Sequence, residues 1–445
     1  MSDMILQGVH GCSEEASYVP PKSPMVRERL EWFKDQKLAL MMHYGPYSQI
    51  GMDASWSLSD EDASWSRRDV DWEDDAEAYR KQYTELYKTF NPLRFQPDKW
   101  ADFAAENGFR YLIFTTKHHD GFCMWDTKQT DYNIMNTPYG KDTLKMLADA
   151  CQKHGMKLSL YYSCPDWHHE YGFNPASTHQ WKAKTENGID TKRYLEFVRR
   201  QVRELCTNYG PLYTFYWDIP PRIKDPSFNE MIRELQPGIF INDRGYDVGD
   251  FSTPEREYRA QEGQRFTRMT EACNSVGEQS WGYRREEDFY SLRHLTSSID
   301  RIMAMGGSYV LNVGPDANGV ITEEYAARIR KVGDWYMRMK GALVCHEEDT
   351  FNYAVRNNNA IVTKKNGKSY FHFPDGIRSS SIAIKYFPSM PKSVRLLNTG
   401  KALPYAHERL PEYFTESGIA IPYLHIRGIP IDDLSNEAIV IEIEW

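Results

Sequence analysis

The sequence predicts an α/β protein, a (β/α)8-like TIM barrel followed by an antiparallel β-sandwich. Three observations predict it. From Lys37 to about Ala342, short near-continuous apolar runs alternate with amphipathic helical stretches, the pattern of a parallel sheet covered by helices. Gly108, Gly155, Gly210 and Gly238 each stand between a helical stretch and the next apolar run, where a left-handed C-cap belongs. From about Leu343 the texture changes to alternating strands and turns. The expected domains are residues 1–342 and 343–445, and a doubly wound sheet is the alternative for the first.

The elements justify this in order. The candidate strands are "KLALMMHYG", "RYLIFTTKH", "KLSLYYS", "LYTFYWDI", "IFINDR" and "SYVLNVGP". Between them "WADFAAENG", "DTLKMLADACQKHG", "TKRYLEFVRRQVRELCTNYG" and "SIDRIMAMGG" carry helical periodicity. The long helical stretch "TEEYAARIRKVGDWYMRMKGA" closes the first domain. Beyond it "NAIVTKKNGKSYFHF", "SIAIKYF", "KSVRLLNTGK", "IAIPYLHI" and "AIVIEIEW" read as strands, with a hairpin turn at Lys365-Asn366-Gly367-Lys368.

Composition bounds the function. At 445 residues two domains are expected, and 41% hydrophobic with 26% charged residues is ordinary for a globular chain. A net charge of −9 disfavours nucleic acid and anionic membrane as partners, and no apolar run reaches membrane-spanning length. The aromatic content of 14%, with 12 Trp and 29 Tyr, suits either a large core or a site that stacks sugar rings. The seven cysteines (Cys12, Cys123, Cys151, Cys164, Cys206, Cys273 and Cys345) show no zinc-ribbon or C-x-x-C spacing. With no signal peptide at the N-terminus, a reduced, cytoplasmic protein is the expectation; a trimmed N-terminus would make it secreted or periplasmic.

Chemistry in a barrel sits where the strands finish. Here the ends carry His43; His118, His119 and Asp120; Tyr161, Tyr162 and Ser163, with Asp166 and Trp167 close behind; Trp217 and Asp218; Asn242, Asp243 and Arg244; and Asn312. Adjacent histidines on an extended strand face opposite ways, so His118 and His119 are expected to be poor co-ligands of one ion, and a dense Asp/Glu/His cluster is missing. No metal and no cofactor are expected. Phosphate and dinucleotide sites lack their glycine fingerprints. What remains is an uncharged polyhydroxylated ligand, held by imidazoles, tyrosines, tryptophans and one arginine.

Glycoside hydrolysis needs two carboxyl groups about the anomeric carbon. Asp218, ending "LYTFYWD", is the first candidate, with a turn or N-cap aspartate as the plainer role. The second must come from a later loop, which offers Glu255, Glu257, Glu262, Glu271 and Glu278.

With these residues in view, the chain resembles glycoside hydrolase family 29, the retaining α-L-fucosidases. The likeness runs from "LEWFKDQKLALMMHYGPYS" to the β domain and is carried by "MMHYG", "TTKHHDGFCMWDTKQTDYN", "LYYSCPDW", "FYWD", "INDR", "SWGY" and "VLNVGP". The resemblance implies that Asp218 is the nucleophile and that "DFSTPE" supplies the acid/base as Glu255, with Glu271 in "MTEACNS" as runner-up. It also implies that His43, His118, His119, Tyr161 and Arg244 hold fucose hydroxyls, with Trp217 near the sugar. Asp120 is expected to orient its turn.

Two departures stand out. The family often follows the nucleophile with Gly, where this chain has Ile219-Pro220-Pro221. The first-loop "E-W" pair of many members appears as Ser55-Trp56, with a second "SW" at Ser64-Trp65; Trp56 is the expected site residue. The implied function is exo-hydrolysis of terminal α-L-fucosyl residues from a fucosylated glycan by double displacement. The alternatives are an α-L-galactosidase on a similar barrel and a non-catalytic carbohydrate-binding protein.

Overall fold

The computed structural model describes residues 23–445 apart from 68–69, 173–190, 222, 257–264, 267, 345 and 412–419. Glu257, Glu262, Cys12 and Cys345 lie outside the described residues. The chain forms two compact units, one holding the segment Ser308–Ala327 and the other Tyr290–Gly307 and Arg328–Trp445.

The first unit is built on a parallel sheet of seven strands: β1 (Leu38–Met42), β2 (Tyr111–Lys117), β3 (Lys157–Ser163), β4 (Thr214–Asp218), β5 (Phe240–Ile241), β6 (Glu271–Ser275) and β7 (Ser308–Val313). Their spatial order is β5-β4-β3-β2-β1-β7-β6, so β1 is flanked by β2 and β7. Helices Pro97–Glu106, Thr143–His154, Thr191–Asn208 and Ser227–Leu235 precede β2, β3, β4 and β5 in the chain. Thr143–His154 shows why such helices start and stop where they do. Asp142 accepts from the Lys145 N–H at 2.8 Å at its N-terminus, and Gly155 at φ 67° ends it. The other three glycines expected to cap, Gly108, Gly210 and Gly238, also have positive φ.

Two strands differ from expectation. The run "IFINDR" yields only Phe240–Ile241, because the Asn242 side chain takes over the ladder, accepting from Trp217 N at 2.8 Å and donating to Trp217 O at 2.9 Å. β6 was not among the expected strands: "EACNS" begins and ends on polar residues and has no apolar run to signal it. Between the edge strands β5 and β6, residues 250–255 make parallel bridges to both, Asn242 with Phe251, Ser252 with Thr270 and Glu255 with Cys273. Backbone bonds accompany them, from Asp250 N to Ile241 O at 2.6 Å, from Glu271 N to Ser252 O at 2.8 Å and from Cys273 N to Pro254 O at 2.9 Å.

One buried cluster joins Ala39, Met41, Tyr111, Ile113, Tyr161, Tyr216, Phe251, Cys273 and Val310. These residues follow the two-residue pleat of each strand, so one face of every strand shares a core. Phe33, ending helix Pro24–Phe33, adds its ring at the N-terminal ends of the strands, 5.1 Å from Phe240, 5.2 Å from Phe251 and 5.7 Å from Tyr213. Burying such a ring stabilises by about 1.5–3 kcal/mol. Among the described residues no helix is long and apolar enough to cross a membrane.

The second unit carries two antiparallel sheets. One has six strands, β8 (Glu347–Glu348), β10 (Ile361–Lys365), β11 (Lys368–Phe373), β13 (Ser393–Leu396), β14 (Lys401–Ala402) and β17 (Ile439–Glu444). The other has four, β9 (Ala354–Val355), β12 (Ser381–Lys385), β15 (Tyr405–Pro411) and β16 (Ala420–Arg427). The hairpin read at Lys365–Lys368 pairs those two residues, with Asn366 and Gly367 at φ 52° and 77°, the two positive values a type I′ turn needs. Phe371, Phe373, Ile439, Ile441 and Ile443 from one sheet and Ile382, Ile384, Leu424 and Ile426 from the other form a single buried cluster. "YAHERLP" gave no strand signal because it lacks apolar alternation, yet β15 pairs with β16 along its length.

Candidate active site

The same pleat that fills the core also aims the rim. Two residues beyond Met41 is His43, two beyond Val310 is Asn312, and two beyond Tyr216 is Asp218, so all three continue the core-facing side of their strands. They meet at the C-terminal ends of the strands. The Tyr161 hydroxyl donates to Asp218 Oδ2, and the Arg244 Nη2 group lies 2.9 Å from Asp218 Oδ1. Arg244 Nη1 in turn donates to Glu255 Oε1. One buried guanidinium, 1% exposed, therefore holds both expected carboxylates. Burial acts to lower its pKa, but Asp218 and Glu255 outweigh that and raise it well above the ordinary arginine value.

Glu255 reaches this position because the segment 250–255 is bridged to Cys273 of β6 at its end. The backbone at both carboxylates is unusual. Ile219, directly after Asp218, has φ 56°, and Arg256, directly after Glu255, has φ 54°. A β-branched residue there is strained, by roughly 1–2 kcal/mol. Ile219 thus holds a left-handed conformation that a glycine would adopt without strain.

The histidines close the other side. Contrary to the expectation that neighbours face apart, the rings of His118 and His119 lie 4.0 Å from each other. The reason is that β2 ends at Lys117, with a register shift against β3 between Thr115 and Lys117, so the two histidines follow a turn and not a pleat. His118 Nδ1 is hydrogen-bonded to Ser55 Oγ, His119 Nδ1 to Ser163 Oγ at 2.7 Å, and His43 Nδ1 to Asn312 Oδ1 at 2.7 Å. His118 lies parallel to the Tyr161 ring at 5.8 Å, and His43 is 5.4 Å from it. Burial lowers the pKa of His43 to about 4 against the upward pull of Asn312 and Asp218, and burial with the neighbouring histidines lowers that of His118 well below the usual value. Both rings are neutral at pH 7.

Trp56 joins this group, 4.7 Å from His119 and 5.9 Å from Trp167. Trp65 does not: it is 45% exposed and donates to Asp62. Trp217 also stands apart. One residue out of phase with Asp218, its ring is buried among Tyr162, Phe215, Phe228 and Tyr246, with Nε1 donating to Asn229 at 3.1 Å. Glu271 lies at the opposite end of the strands from Asp218. It starts β6, opposite Ser308 at the start of β7, and accepts from the hydroxyl of Tyr111, which starts β2. Burial raises its carboxyl to about 8.

Other residues complete the site. Trp281 lies 5.5 Å from His43, and Arg256 sits over its indole at 4.8 Å. Asp53 accepts from Trp281 N at 2.7 Å and Ser280 Oγ at 3.1 Å, and burial raises it to about 6. The motif "SWGY" was the available signal for Trp281. Below the histidines, Lys117 and Asp166 form a buried pair at 3.1 Å. Burial alone would raise Asp166, but Lys117, His169 and His168 hold it at about 2. Asp120 does orient its turn, accepting from Phe122 N at 3.1 Å and from Tyr83 at 2.9 Å.

A family model described as Alpha-L-fucosidase matches residues 6–341. The chain belongs to the alpha-L-fucosidase family. It is accordingly a glycoside hydrolase. It is 24% identical over 370 residues to the tissue alpha-L-fucosidase of Rattus norvegicus, covering 78% of this chain and 77% of that one. It is 25% identical over 333 residues to the alpha-L-fucosidase of Dictyostelium discoideum, covering 68% and 69%. Among solved structures, alpha-L-fucosidase isoenzyme 1 from Paenibacillus thiaminolyticus superposes with a TM-score of 0.76 at 27% identity, over 94% of this chain and 99% of that one. The Thermotoga maritima alpha-fucosidase in complex with fucose shares the fold, with a TM-score of 0.72 at 24% identity over 96% and 100%.

A separate cavity of about 790 Å³ opens at the N-terminal ends of the strands, lined by Met25, Leu158, Tyr213 and Phe240 among others. None of the residues gathered around Asp218 lines it.

Proposed function

We propose that this fucosidase is a retaining exo-enzyme in which Asp218 is the nucleophile and Glu255 the acid/base. The observation that carries the assignment is Arg244, whose two Nη groups hold Asp218 and Glu255. Carboxylates sharing one guanidinium favour the shorter, retaining spacing of roughly 5–5.5 Å over the wider inverting one. Asp218 attacks the anomeric carbon as the bond to the leaving oxygen breaks, and Glu255 gives that oxygen its proton. Glu255 then takes a proton from water, whose oxygen attacks the same carbon and expels Asp218. Tyr161 aims the Asp218 carboxylate through a charge-assisted hydrogen bond and Arg244 through an ion pair. His43, His118, His119 and Trp56 would hold the sugar of a terminal α-L-fucosyl group on a glycan; Trp217 would act only by supporting β4.

The fold reading goes with it. The segment 250–255, bridged to β5 and β6, serves as the eighth member of a closed (β/α) barrel. The shared core of the two antiparallel sheets supports a β-sandwich. The test is kinetic. Asp218→Ala should abolish turnover of an aryl α-L-fucoside, and Glu255→Ala should be rescued by azide with formation of a fucosyl azide. Retained turnover in the first variant, or azide rescue in Glu271→Ala in place of Glu255→Ala, would overturn the assignment.

A further inference from the structure

Two hydrogen-bond chains decide which ring nitrogen of His43 and His119 carries the proton. Asn312 Nδ2 lies 2.6 Å from the Trp281 carbonyl oxygen and 3.1 Å from Ser275 Oγ. A carbonyl only accepts, so the amide NH2 must face it and the amide oxygen must face His43. His43 Nδ1, 2.7 Å from that oxygen, is then the donor. At Ser163 the single hydroxyl hydrogen goes to the Pro165 carbonyl at 2.8 Å, so Oγ can only accept from His119 Nδ1 at 2.7 Å. Ser55, bonded to His118 Nδ1, is free to donate or accept, and does not constrain His118 in this way.

We propose that Asn312 and Ser163 are positioning residues that lock His43 and His119 as Nδ1–H imidazoles, so that each ring offers a bare Nε2 to a hydroxyl hydrogen of the sugar. The inference rests on the fucosidase reading of the site and adds a rule of recognition: the ligand must present hydroxyl donors to both rings. His119 Nε2 lies 4.0 Å from Asp218 Oδ2, too far for a hydrogen bond. With Nε2 unprotonated, both atoms are acceptors of a hydroxyl hydrogen. A proton on Nε2 would instead make that nitrogen a donor, with no lone pair left to take the hydroxyl hydrogen.

The tautomers are read by long-range proton–nitrogen NMR of the full chain labelled with 15N-histidine, at neutral pH and without ligand. The ring signals that vanish in His43→Gln and in His119→Gln should both show the Nδ1–H pattern. Either one in the Nε2–H or doubly protonated form overturns the proposal, as does a wild-type spectrum with no Nδ1–H ring at all. Ser163→Ala should move His119 toward Nε2–H and lower kcat/KM by about tenfold, the loss of one hydrogen bond, with Ser163→Thr restoring both. A lower melting temperature in Ser163→Ala with His119 unchanged would show a merely structural role and also overturn it. Because the spectrum needs no substrate, it stands apart from the function: an inactive wild type with both tautomers as stated would sink the fucosidase reading alone.

Discussion

Replacing Arg244 with Met tests the centre of the mechanism. The substitution removes a buried cation that touches Asp218 and Glu255 and leaves the two carboxylates facing each other. At an effective dielectric of about 20, two like charges about 5 Å apart repel by about 3 kcal/mol. At 1.36 kcal/mol per unit, that is about two pKa units shared by the pair, before relaxation and entering water reduce it. The acid limb of the kcat/KM profile for an aryl α-L-fucoside should therefore rise by at least about one unit. At its optimum the variant should lose about 10²–10³ in rate, the usual cost of removing an electrostatic group aimed at the reacting centre. Stability gives an independent reading. In the variant one carboxyl holds its proton more firmly folded than unfolded, so stability should fall as pH rises through the folded titration of the pair, and the melting temperature should be higher at pH 5 than at pH 8. A folded variant with an unmoved acid limb would refute the idea that the Arg244 guanidinium separates the two carboxyl groups electrostatically.

Two further substitutions probe the places where the chain departs from simple expectation. Glu271 sits at about 8 in the folded protein against 4.5 unfolded, so its contribution is fully present below about pH 4.5 and is lost as pH rises through about 8. Glu271→Gln should leave kcat unchanged, while its stability advantage over the wild type grows by on the order of a few kcal/mol across that window; a pH-independent difference in melting temperature would exclude a buried neutral carboxyl. Ile219→Gly should relieve the left-handed strain at φ 56°, offset in part by the freedom glycine gains in the unfolded chain. Denaturant titration should show it no less stable than the wild type, and a loss beyond about 1 kcal/mol would mean that the Ile219 side chain contributes more than its backbone costs.

Much of this site was legible because the β pleat has a period of two and nothing else is needed to extend it. Given Met41, Val310 and Tyr216 as core, His43, Asn312 and Asp218 must share their face, and Trp217 must not. The expectation that Trp217 approaches the sugar came from the family likeness and runs against this arithmetic. The places the sequence could not reveal are those where the pleat stops. His118 and His119 lie just past the end of β2, and there adjacent residues are free to turn the same way, so a rule that holds within a strand gave the wrong relation between them. β6 escaped for a related reason. A strand held mostly by its neighbours' backbone carries no apolar run of its own, and "EACNS" could equally have been a loop. That error had a consequence for chemistry, because reading Glu271 as a loop residue kept it a candidate beside Glu255. Once it is a strand's first residue, paired with Ser308 and bonded to Tyr111, the same residue belongs to the N-terminal end of the sheet, away from Asp218. Burial that would suit an acid catalyst at the rim serves there only to keep a carboxyl neutral. The proposed choice between the two glutamates thus rests on which end of a strand each occupies, a property of register that no local motif encodes.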